Sequence, residues 1–227
     1  MNEEHLADLE ELHTKAAHLF AELAAQSILA RSRFIVALSG GSTPLPIYQR
    51  LATLSGIDWS RVHVFWSDER CVSPEDPASN YGATRAALLD RIRGPSPHVH
   101  RIPAEDPPSE AADRYEGTVR TIIPNGRFDL ILLGMGVDGH TASLFPDHEA
   151  LCETTRWFVP VRVLAKPAQR ITMTLPLIVR ARHVLMLTAG NEKERTRRRI
   201  VNGEQLPAGR VRPLDGTLTW YSTRNEP

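Results

Sequence analysis

The stretch Phe34-Ile-Val-Ala-Leu-Ser-Gly-Gly-Ser-Thr-Pro44 decides how the rest of the chain is read. Five consecutive apolar residues suit a strand buried on both faces of a parallel sheet. The run stops at a glycine-containing turn. Pro44 then fits the first turn of a helix that continues through Tyr48 and Leu51 to about residue 54. Strand, tight turn and helix make the first half of a crossover unit.

The same alternation extends outward in both directions. Before this stretch, residues 3–30 read as one helix, because Leu6, Leu9, His13, Ala16, Leu19, Phe20 and Leu23 recur at spacings of three and four. After it, residues 62–66, 128–133 and 183–188 are strand-like, and residues 79–91, 109–122 and 192–201 are helix-like. Residues 98–102, 159–163, 171–175 and 218–221 read as further short strands. The expected fold is α/β: a Rossmann-like, mostly parallel sheet with helices on both faces. No repeat or low-complexity tract interrupts it, and the proline-rich piece at 103–108 reads as a loop, so residues 1–227 are expected to form a single domain.

Composition removes several function classes. Of 227 residues, 41% are hydrophobic and 24% charged, ordinary values for a globular protein. Lys and Arg number 27, as do Asp and Glu, which argues against a general electrostatic grip on nucleic acid or an acidic membrane. Cys71 and Cys152 cannot build a disulfide framework or a four-ligand zinc site, and are expected to be reduced thiols. No apolar run approaches the ~18 residues of a membrane span, and the acidic start Met1-Asn-Glu-Glu-His lacks a signal-peptide core. The expectation is a cytoplasmic protein that binds neither nucleic acid nor membrane.

Reactive residues collect just beyond four of the strands, where open α/β sheets bind ligands. Gly40 and Gly41 let backbone approach an anion, and Ser42, Thr43 and the helix N-terminus add donors. The bland alternative is a tight turn with a hydroxyl cap. Asp68, Glu69 and Arg70 follow the second strand, and read either as a charged site or as a solvated cluster. Asp138 and His140 follow the third in a glycine-rich loop, where Asp can fix the tautomer of His or merely form an Asx turn. Lys193 follows the fourth, and with Arg182 before that strand could neutralise a phosphate. Gly134, Gly136 and Gly139 have dinucleotide-fingerprint spacing, but Pro146 follows too soon for the required helix. Neither a metal-ligand spacing nor a Gly-x-Ser-x-Gly elbow is present. Arg195, Arg197, Arg198 and Arg199 read as a solvated helix face.

Three motifs together carry a resemblance. Leu38-Ser-Gly-Gly-Ser-Thr-Pro44, Phe65-Trp-Ser-Asp-Glu-Arg70 with Ser79-Asn80 downstream, and Gly134-Met-Gly-Val-Asp-Gly-His-Thr-Ala-Ser-Leu-Phe-Pro146 resemble the signatures of the 6-phosphogluconolactonase family. The related glucosamine-6-phosphate deaminases share the fold, but usually have Tyr where this chain has Arg70 and Glu where it has Phe145. Two departures bear on the sheet edge. The family's first strand is expected to be absent or rearranged, since Met1 stands almost at the helix, and Trp220-Tyr-Ser-Thr replaces the usual ending.

The resemblance implies hydrolysis of 6-phospho-D-glucono-1,5-lactone, with no metal or organic cofactor, and a monomer or weak homodimer. It implies His140 as general base, Asp138 as its orienter and Arg70 on the substrate or developing charge. Gly40, Gly41, Ser42, Thr43, Asn80, Arg182 and Lys193 would bind substrate and phosphate. A sugar-phosphate deaminase or isomerase would instead use Asp68 as base. A non-catalytic sugar-phosphate sensor would need a DNA-binding segment, and only about 30 residues in a single expected helix precede the first motif.

Overall fold

The computed structural model describes residues 2–227. The chain begins with a short strand, β1 (Asn2–His5), followed by helix α1 (Leu9–Arg31). Strand β2 (Phe34–Leu38) leads to α2 (Leu45–Thr53), β3 (Val62–Trp66), β4 (Asp68–Arg70), α3 (Asn80–Ala87), β5 (His98–Val99) and α4 (Pro108–Ile122). Then come β6 (Leu130–Gly134), β7 (Phe158–Arg162), β8 (Gln169–Met173), the single turn α5 (Leu175–Ile178), β9 (His183–Ala189), α6 (Asn191–Val201) and β10 (Thr217–Thr223).

Seven strands form one sheet in the order β1-β10-β9-β6-β2-β3-β5, and every neighbouring pair in it is parallel. All five residues of β2 are buried. Side chains alternate between faces along a strand, so both faces of the sheet centre are covered. The buried apolar residues from Leu6 to Tyr221 form one cluster. No helix among the described residues is long and apolar enough to cross a membrane.

Several boundaries differ from those expected, each for a physical reason. The first strand is present. Asn2–His5 pairs in parallel register with Thr219–Ser222, and Leu6 N–H donates to Ser222 O at 2.7 Å. All four of its residues are exposed, so it shows none of the apolar patterning by which a strand is recognised. The helix starts six residues later than expected because Asp8 caps it, accepting from Glu11 N–H at 2.8 Å. Residues 68–70, expected as loop, form β4 and join β8 and β7 in a small antiparallel sheet outside the main one. Expected helix 79–91 breaks at Leu88 into a 3-10 turn over Leu89–Arg91, and expected strand 98–102 is only His98–Val99.

This topology fixes where a ligand can sit. From β2 the chain steps to β3 and β5 on one side; from β6 it steps to β9 and β10 on the other. The direction reverses between β2 and β6, and the crevice beyond their carboxyl ends is the natural site.

Candidate functional site

At that crevice lies a cleft of about 210 Å³, lined by residues 39–44, Asp68, Arg70, Asn80, His140, Arg170 and Lys193 among others. One side of it is the turn after β2. The Tyr48 hydroxyl locks this turn, donating to Ser39 O at 2.8 Å and accepting from Ser39 N–H at 3.1 Å. Thr43 is buried, while Gly41 and Ser42 face solvent. A Cβ on Gly40 would sit 1.8 Å from Asn80 Oδ1, so only glycine lets the turn close against α3. The Ser39 hydroxyl is buried in the cleft wall and has no partner among the described residues.

The opposite wall comes from β4 and β8. Asp68 is 6% exposed, accepts from the Ser143 hydroxyl at 2.7 Å, and lies 3.3 Å from Asn80 Nδ2. The same Asn80 amide donates to Asp68 O at 2.9 Å. Asn80 therefore braces Asp68 against the Gly40 turn. Glu69 points away from this role. Its carboxylate accepts from Arg70 N–H, Asn80 N–H, Tyr81 N–H and the Ser79 hydroxyl, tying β4 to the start of α3. Burial nonetheless pushes its pKa above the usual carboxylate value. Arg70 donates to Ala78 O at 2.6 Å, which turns its guanidinium along the cleft edge.

His140 stands on the loop after β6. Its Nδ1 meets Asp138 Oδ1 at 2.6 Å, which leaves Nε2 as the nitrogen available to a ligand. Asp138 itself lies behind the imidazole and does not line the cleft. The loop is pinned from several sides. Gly136 N–H donates to His140 O at 2.9 Å, the Thr141 hydroxyl to Gly134 O at 2.8 Å, the Thr196 hydroxyl to Val137 O at 2.6 Å, and Ala208 N–H to Gly139 O at 3.0 Å. Lys193 enters from the first turn of α6. Burial lowers its pKa, opposed by the charge of Glu226, and among the described residues its ammonium has no ion-pair partner within 4 Å.

Arg182 does not belong to this cleft. It precedes β9 at the amino end of the strand, with its guanidinium 3.3 Å from Asp129, and Arg31 approaches the same carboxylate at 2.8 Å. The cleft cation absent from the sequence reading is Arg170. It comes from β8, is 7% exposed, and has Pro167 O at 3.2 Å from Nε as its protein acceptor. Burial and the charge of Arg70 lower its pKa, and Asp68 works against them. The available signal was a charged residue directly before the short strand-like stretch Ile171-Thr-Met173. Arg70, Arg170 and Lys193 face one cleft carboxylate, Asp68, so the pocket is matched to an anionic ligand.

The family described as Glucosamine-6-phosphate isomerases/6-phosphogluconolactonase matches residues 7–220. The chain belongs to this family. It is 38% identical over 193 residues to the 6-phosphogluconolactonase of Haemophilus influenzae, covering 82% of this chain and 83% of that protein. It is 35% identical over 225 residues to the human GDH/6PGL endoplasmic bifunctional protein, covering 93% of this chain but 28% of that longer relative. The crystal structure of 6-phosphogluconolactonase from Thermotoga maritima superposes with a TM-score of 0.89 at 30% identity, covering 98% of this chain and 99% of that one. The cleft of this family member thus combines an imidazole braced by a carboxylate, a turn with free N–H groups, and three cations.

Proposed function

We propose that this chain hydrolyses 6-phospho-D-glucono-1,5-lactone to 6-phospho-D-gluconate. The observation that carries the reading is the His140 imidazole, held at Nδ1 by Asp138 and lining the same cleft as the glycine turn after β2. Family membership and relatives named 6-phosphogluconolactonase support it.

The chemistry follows from the geometry. His140 Nε2 takes a proton from a water as the water oxygen bonds to the lactone carbonyl carbon. Charge builds on the carbonyl oxygen, and Arg70 and Arg170 supply the positive potential that stabilises it. When the bond from the carbonyl carbon to the ring oxygen breaks, the imidazolium returns its proton to that oxygen. The new carboxylic acid then ionises. Asp138 holds the tautomer and stabilises the transient imidazolium. The 6-phosphate takes the free N–H groups at the start of α2, the Ser42 and Thr43 hydroxyls and Lys193.

A deaminase or isomerase of the same fold would draw on Asp68, which is buried at the cleft wall. One preparation of the protein separates the two readings. Acid release from fresh lactone, corrected for spontaneous opening, is measured beside ammonia release from glucosamine 6-phosphate. Accelerated lactone opening without ammonia is expected. Ammonia release without faster lactone opening overturns the proposal and makes Asp68 the principal base.

A further inference from the structure

His140 has fewer tethers than a buried base usually has. Its side chain is 29% exposed and that of Asp138 is 45% exposed. Water competes for the Asp138 carboxylate, so this hydrogen bond alone cannot hold the ring. Two further contacts restrict it. A Cβ on Gly136 would lie 2.2 Å from His140 Cε1 and Nδ1, so the backbone there presses directly against the imidazole edge. Phe145 stacks on the imidazole, with ring centroids 4.1 Å apart and planes 21° from parallel. The turn that returns the chain beside His140 is closed by Leu144 N–H donating to Thr141 O at 2.9 Å. Phe145 also packs on the core, which anchors it independently of His140.

We propose that Phe145 is a positioning residue for His140. Its ring, with the Gly136 backbone, confines the imidazole so that Nε2 faces the cleft, and its apolar surface keeps a second carboxylate away from the base. The second half of this role is electrostatic. Asp138 already provides one anion from the loop itself. Asp68 and Arg70 from β4, Arg170 from β8 and Lys193 from α6 line the same cleft, and the Arg170 guanidinium lies 5.7 Å from the Phe145 ring centre. A carboxylate in place of Phe145 would favour imidazolium, and a protonated imidazole cannot accept a proton from water.

The proposal rests on the lactonase reading, and its test has an arm independent of that reading. Phe145→Leu, Phe145→Tyr and Phe145→Glu are made in the full chain and compared with the wild type in kcat, KM and the pH profile. Titration of His140 is followed by NMR without substrate. Phe145→Leu should lose on the order of tenfold in kcat at nearly unchanged KM, as expected for a misplaced catalytic group. Phe145→Tyr, which keeps the stack, should restore it. Phe145→Glu should move the acid limb of the profile to higher pH, and the NMR titration of His140 should move the same way. Wild-type kcat in Phe145→Leu, equal losses in Leu and Tyr variants, or an unmoved His140 titration in Phe145→Glu would each overturn the role. If the wild type does not accelerate lactone opening, the functional reading fails, while the NMR titration still judges Phe145.

Discussion

Removing the His140 imidazole tests the cleft at the scale of one residue. His140→Ala is expected to fold, since the ring is partly exposed, and to lose about 10²–10⁴-fold in turnover, the usual worth of a general base. Steady-state kinetics beside a circular dichroism spectrum checks both halves. Lys193→Met is expected to weaken binding of the phosphorylated lactone by roughly 1.5–3 kcal/mol, the range for a charge-assisted hydrogen bond, and to leave the unphosphorylated lactone unaffected. Competition between the two lactones reads that difference. Asp138 and His140 were legible in the sequence because their geometry is local: two residues apart in one glycine-rich loop. Arg170 was not, because its place in the cleft depends on β8 pairing with β4 a hundred residues earlier, and nothing local announces that pairing. Arg182 was assigned to the cleft by nearness in sequence to Lys193. The seven residues of β9 lie between them, and a strand of that length spans about 20 Å.

Among the elements, the edge formed by β3 and β5 carries a pH dependence. His63 Nδ1 and His100 Nε2 are 3.1 Å apart with ring planes 5° from parallel, and His98 stacks on His63 at 4.5 Å. One ring must donate and the other accept, so protonating both breaks the bond. Burial first, then the charges of His98, His100 and Arg33, depress His63 to about 4, and burial also lowers His100. The unfolded chain therefore binds more protons than the folded one between about pH 6.5 and 4, and stability present above that window is lost as pH falls through it. His63→Phe should remove about 1–2 kcal/mol of this loss, a figure reduced for the solvent that reaches the ring. Urea unfolding at pH 7.5 and 5 compares the two slopes. An unchanged pH dependence in the variant would place its origin elsewhere, for instance at half-buried His183. The central strands were legible because both of their faces are apolar, as in β2 and β6. Strands β1 and β4 were not, because their pairing is made by backbone while their side chains are mostly polar.

The whole molecule separates a reactive end of its sheet from a structural one. At the structural end Asp129 is buried, accepts from Ile35 N–H at 2.9 Å, and is flanked by Arg31 and Arg182. Arg182→Met is expected to leave KM for the phosphorylated lactone unchanged. It should cost about 1 kcal/mol of stability, since Arg31 still pairs with Asp129, which for a chain of this size lowers Tm by roughly 2–4 °C. Calorimetry beside steady-state kinetics decides between this and a role in the cleft. The parallel pairing of β1 with β10 reaches further. These strands stand at opposite ends of the chain, yet are neighbours in the sheet. During synthesis β1 is made more than two hundred residues before its partner. At about 5–20 residues per second, the interval is on the order of ten seconds or more. Strand β9 is complete only about thirty residues before β10, and in that last stretch its outward edge has no strand beside it, while Trp220, which caps that flank by donating its indole N–H to the Thr188 hydroxyl at 3.0 Å, has yet to be made. The nascent sheet thus keeps an open edge until β10 arrives, and a chaperone that shields strand edges would find its substrate in that window.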